Sequence, residues 1–127
     1  MSLSSLVTQV GIVLVIMLVI DGFYLAFTSK PFVQMIERIQ HLTVTIRWAG
    51  AAASYLFMAL LLVIFAIQRK TTLIETFLLG FLSYGIYDSV NYALFAKWEA
   101  LTAIQDSIWG GLLFVLTKMV YIKLNQL

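Results

Sequence analysis

Cysteine is absent from this 127-residue chain, and proline and histidine each occur once. No disulfide, thiolate metal site or thiol nucleophile can be built without sulfhydryls. A lone His41 offers no histidine constellation and reads as an interfacial polar residue in a loop, not a ligand. Charge is equally scarce. Only 11% of residues are charged, where a soluble domain carries about 25%. The net charge of +2 comes with no basic stripe, which excludes a nucleic-acid partner.

What fills the chain instead is hydrocarbon: 62% of residues are hydrophobic. They fall in four runs, at 6–27, 48–67, 74–95 and 103–122. Each is roughly 20 residues, the length an α-helix needs to cross a bilayer core. Such runs must be helical, because every backbone group has to be satisfied within its own segment. The first run is too long for the apolar core of a signal peptide and lacks a basic start and a cleavage pattern. The expected fold class is therefore all-α: a single integral membrane domain over 1–127, built as a four-helix bundle. Its partner is the lipid bilayer.

Local signals mark the helix ends. Thr72-x-x-Glu75 and Thr102-x-x-Gln105 read as capping boxes for the third and fourth helices. After the first run, Ser29-Lys30-Pro31 reads as a new helix start. Phe32, Met35, Ile36 and Ile39 then recur at helical spacing. This predicts a short amphipathic interfacial helix over 31–40, between the first and second spans. An even number of crossings puts both termini on one side. The lysines and arginines divide equally, with Arg69, Lys70, Lys118 and Lys123 on the terminal side against Lys30, Arg38, Arg47 and Lys97. Arg69-Lys70 in the shortest loop tips the expectation to cytoplasmic termini.

Three acids lie within these runs. Antiparallel threading places Asp21, Asp88 and Asp106 toward one membrane face. Asp21 and Asp88 lie roughly 9–10 Å inside their helix ends and Asp106 about 5 Å inside. Tyr84, Tyr87, Asp88 and Asn91 share a stripe of the third helix, and Asp106 and Trp109 share one of the fourth. Asp21 and Tyr24 are three apart on the first. The expected polar cluster is Asp21, Tyr24, Arg47, Tyr84, Tyr87, Asp88, Asn91, Asp106 and Trp109, with Arg47 as counter-ion. A carboxylate in hydrocarbon needs a partner, a proton or water. Small residues at 49–54 on the second helix, and Gly110-Gly111 on the fourth, suggest faces for close approach or dimer contact.

The motif Tyr84-x-x-Tyr87-Asp88-x-x-Asn91, followed by Trp98 and Asp106-x-x-Trp109-Gly110, resembles the family catalogued as domain of unknown function 2177. Asp21-Gly22, Ile39-Gln40, Arg47 and Tyr55 are similar to that family's earlier regions. The resemblance covers essentially the whole chain and implies a small membrane protein of about four helices, with no activity attached.

The residues fit a structural or accessory membrane protein in which polar side chains join helices. The alternative is a proton- or cation-coupled small-solute transporter acting as a homodimer. A second is a subunit of a larger assembly, such as a viral envelope or capsid complex. Catalysis is disfavoured: Tyr87-Asp88 is similar to one signature of intramembrane aspartyl proteases, but no Gly-x-Gly-Asp precedes Asp106. No catalytic residue, metal site or cofactor is expected.

Overall fold

The computed structural model describes residues 2–127. Among them are four α-helices and no strand: α1 (Leu3–Gln40), α2 (Trp48–Leu62), α3 (Leu73–Leu94) and α4 (Ala100–Asn125). A π-helical turn, Val63–Ile67, extends α2. Leu3–Gln40, Trp48–Ile67 and Ala100–Asn125 are long and apolar enough to cross a membrane. The 22 residues of α3 are less apolar, since Glu75, Ser83, Tyr84, Tyr87, Asp88 and Asn91 all lie on it.

The helices run antiparallel to their neighbours. At one end of the bundle Gln68 Nε2 donates to Gln9 Oε1 at 3.1 Å, and Lys118 of α4 reaches Thr71 in the turn before α3. At the other end Phe32 of α1 meets Trp98 edge-on, with ring centroids 5.7 Å apart. There Arg38 pairs with Glu99 at 2.7 Å. The start of α1 and the end of α4 thus lie at the same end of the bundle. The third helix starts beside Lys118 and finishes beside Trp98, so it covers the bundle's full length, about 33 Å at 1.5 Å per residue.

The tightest joint is between α3 and α4. A Cβ on Gly80 would strike the Gly110 carbonyl and the Phe114 ring; one on Gly110 would strike Tyr84, and one on Gly111 would strike Phe77. Gly110-Gly111 is therefore buried within the bundle and offers no outward face. The small residues that start α2 do the opposite. Gly50 has open space around its Cα, and Trp48, Ala49 and Gly50 are exposed. The second helix packs mainly on α1 and reaches α3 chiefly through its π-helical end. Toward the Trp98 end, α2 and α3 therefore part.

Two local expectations are corrected. In place of a separate interfacial helix at 31–40, α1 runs unbroken through Pro31. The proline removes one donor, the N–H that would reach back to residue 27. Tertiary contacts offset that loss. Met35 is fully buried and its sulfur accepts the Glu99 backbone N–H at 3.2 Å, while Phe32 and Arg38 hold Trp98 and Glu99. The helix then stops at His41 in a left-handed cap.

The second correction concerns Thr102 and Gln105, which do not form a capping box. The fourth helix begins at Ala100, with Glu99 as its N-cap residue. Glu99 is already pinned by Arg38 and Met35, so the helix starts early and Gln105 reaches Tyr24 instead, at 3.3 Å. The Thr72–Glu75 box is present with both reciprocal bonds.

Candidate polar site within the bundle

Asp21 sits midway along α1 and is 5% exposed. The Tyr55 hydroxyl of α2 donates to its Oδ2, and the Trp109 Nε1–H of α4 donates to its Oδ1 at 2.8 Å. One carboxylate thus joins three helices with both oxygens occupied. Tyr24, nearly a turn later on α1, stacks flat on Trp109 with centroids 3.9 Å apart and planes 5° from parallel.

Asp88 is the contrasting case. It is 1% exposed, yet neither carboxylate oxygen has a hydrogen-bond partner. Asp106 and the Trp98 indole stand beside it without hydrogen-bonding geometry. The Trp98 Nε1 is itself buried and unpartnered. Its ring is wedged among Phe32, Tyr87 and Phe95, with centroids 5.7, 6.0 and 6.3 Å away. An unpaired polar group in such a place costs on the order of 1–3 kcal/mol.

Where α2 and α3 part, the bundle holds an open cleft of about 400 Å³. All four helices contribute: Asp21 from α1; Ser54, Tyr55 and Met58 from α2; Ser83, Tyr84 and Tyr87 from α3; and Asp106 from α4. The Tyr84 hydroxyl donates to Met58 Sδ at 3.2 Å and bridges the deep end. Half-buried Asp106 also lines a smaller hollow of about 120 Å³ between α1 and α4, with Tyr24, Thr28, Phe32 and Gln105.

Seven of the nine residues singled out from the sequence come together here: Asp21, Tyr24, Tyr84, Tyr87, Asp88, Asp106 and Trp109. Asn91 lies at the margin beside Tyr87, with its backbone carbonyl accepting the Phe95 N–H at 2.8 Å. Arg47 is not brought to the aspartates. It is the exposed N-cap of α2, at the splayed end of that helix, and Arg38–Glu99 is the single ion pair among the described residues. The cluster consequently has no cation.

The profile of the family described as "Predicted membrane protein (DUF2177)" matches residues 6–122. The chain belongs to that family. No curated protein and no solved structure matches it. The DUF2177 match spans every residue of the polar centre, from Asp21 to Trp109.

Two polar residues of this DUF2177 chain escape the sequence reading of the cluster. Tyr55 belongs in the centre, and its depth on an antiparallel α2, level with Asp21, was the available signal. Lys118 belongs to a different centre at the opposite end. It is 3% exposed, and its ammonium lies among the Ala66 and Thr71 carbonyls and the Thr71 and Thr76 hydroxyls. It neutralises carbonyls at the end of the extended α2, where a helix terminus carries partial negative charge. Its position inside the run 103–122, not beyond it, was the clue. Among the described residues, no three His, Asp or Glu side chains converge to hold a metal ion.

Proposed function

We propose that this chain is a four-span membrane protein in which Asp88 and Asp106 share an exchangeable proton, and that it serves as a proton-coupled carrier for a small solute. In this reading α3 crosses with the other three helices despite its polar stripe, because its ends are tied to opposite ends of the bundle. Both termini then lie on one side, the cytoplasmic one by the Arg69-Lys70 turn.

The observation that carries this reading is the unpartnered carboxylate of Asp88. Interhelical glue needs bonds between helices, and Asp88 makes none. An uncompensated charge there is expensive in low dielectric. The groups facing the pair are Tyr84 and Tyr87 from α3, Asp21 from α1 and the Trp98 indole. None is a cation, so two adjacent carboxyls gain most by holding one proton between them. Infrared spectroscopy of the reconstituted protein tests this. The expected spectrum has a carboxylic-acid carbonyl band that responds to bulk pH and vanishes in Asp88→Asn while helicity persists. A spectrum with no Asp88-sensitive band overturns the reading.

A structural or accessory role is the second reading, and Asp21 favours it. Its bonds to Tyr55 and Trp109 serve assembly and leave no oxygen free for exchange. That role predicts co-purification with a much larger membrane partner in mild detergent.

A further inference from the structure

We infer that the cleft between the four helices takes a small organic monocation, an ammonium group carrying an apolar body. The inference rests on Asp88 and Asp106 acting as a proton site and adds the class of solute.

The chemistry of the walls selects the ligand. Asp106 lines the cleft and receives no hydrogen bond from any cationic side chain. Asp88, buried and unpartnered, stands beside Asp106 without lining the cleft itself; it borders a separate hollow between α3 and α4. This arrangement repels anions and leaves negative potential unanswered. The sides are aromatic and soft: Tyr84, Tyr87 and Met58. Aromatic faces attract a cation through their quadrupole, most strongly when water is excluded. Tyr87 is 52% exposed, so its ring is available to an incoming group. The volume of about 400 Å³ lies within the roughly 300–1,000 Å³ range of small-molecule pockets. A bare divalent metal is a poorer match, because Asp21, the third carboxylate, is held by Tyr55 and Trp109 and, among the described residues, no three acidic side chains converge on one point.

The protons and charges balance. With the cleft empty, Asp88 and Asp106 hold one proton and one negative charge between them. An entering ammonium pairs with Asp106, and the shared proton leaves to water. One positive charge enters and one departs, so a proton gradient can drive the cation the other way. The ammonium can belong to a free amine or to a lipid headgroup arriving through the gap between α2 and α3; the recognition chemistry is the same.

The test uses the full-length protein in a maltoside detergent, which carries no ammonium. Choline and its uncharged carbon isostere, dimethylbutanol, are titrated by calorimetry. Choline is expected to bind at least about tenfold more tightly than the isostere, a difference of roughly the size a desolvated cation–π contact supplies. Asp106→Asn is expected to weaken choline by at least about tenfold as well. Ser54→Trp, at an exposed position on the rim, fills the cleft from outside and is expected to abolish binding with the thermal midpoint unchanged. Equal affinity for choline and dimethylbutanol overturns the inference, as does choline binding that survives both variants. Displacement of choline by added phosphatidylethanolamine assigns the site to a lipid headgroup, and persistence of choline assigns it to a free amine. A pH dye separates this inference from the reading beneath it. Choline binding without proton release keeps the cation site and overturns proton coupling. An Asp88-sensitive infrared band without choline binding keeps the proton site and overturns the cation.

Discussion

Tyr24 and Trp109 lie face to face, 3.9 Å between centroids, while the same indole donates its N–H to Asp21. A ring held by stacking on one side and by a hydrogen bond at its edge has little freedom left. The α1–α4 joint is therefore set by Asp21 and Tyr24, three residues apart on one helix. Replacing Asp21 with Leu is expected to destabilise the bundle by about 1–3 kcal/mol, the sum of two interhelical bonds. Reversible unfolding in detergent, followed by tryptophan fluorescence, measures it. Tyr55→Phe is expected to cost measurably in the wild type and almost nothing once Asp21 is Leu, since both changes remove the same bond.

The glycines give a paired prediction. Gly110→Leu drives a side chain into Tyr84 and is expected to cost about 1–3 kcal/mol or more by overpacking. Gly50→Leu meets open space and is expected to stay within about 0.5 kcal/mol of wild type. The same unfolding assay compares them. Equal effects at the two positions contradict the assignment of α3–α4 as the tight joint.

Lys118→Met removes the cation from four oxygens at the turn between α2 and α3. The side chain is of similar length, so packing is largely kept while the Thr71 carbonyl loses its donor. The expected loss is about 1–3 kcal/mol. Hydrogen exchange localises it, with amides around 68–72 exchanging faster and those near Asp21 unaffected.

Arg38 and Glu99 are each half exposed, so solvent screens their attraction. Either single neutralisation is expected to cost at most about 1 kcal/mol. The difference shrinks in high salt, and the double swap Arg38→Glu with Glu99→Arg restores it. A thermal-shift series across ionic strength is sufficient to show this.

How much of this architecture could be read from the chain varies with the range of the forces involved. The apolar runs were legible because lipid solvation leaves helices as the one solution for them. The Thr72–Glu75 cap was legible because it closes within a single turn. The gathering of Asp21, Asp88, Asp106 and their aromatic neighbours followed from counting depth along antiparallel helices. Depth says nothing about direction, however. Arg47 is at a suitable level but on the splayed end of α2, away from the acids. Tyr55 was hidden because α2 is apolar on nearly every side and shows no face. Pro31 stays inside a helix because Phe32, Met35 and Arg38 are held by Trp98 and Glu99, residues remote in the chain. Lys118 carries a charge that reads as an interfacial anchor until Ala66, Thr71 and Thr76 are seen around it.

The lysine cage also imposes an order on biosynthesis. The α2–α3 hairpin leaves the ribosome with the Thr71 carbonyl still without its donor, and the ammonium that reaches it is encoded 47 residues after Thr71. Within the protein that contact can close only once α4 has been made. The turn between α2 and α3 is thereby locked by a helix synthesised after it.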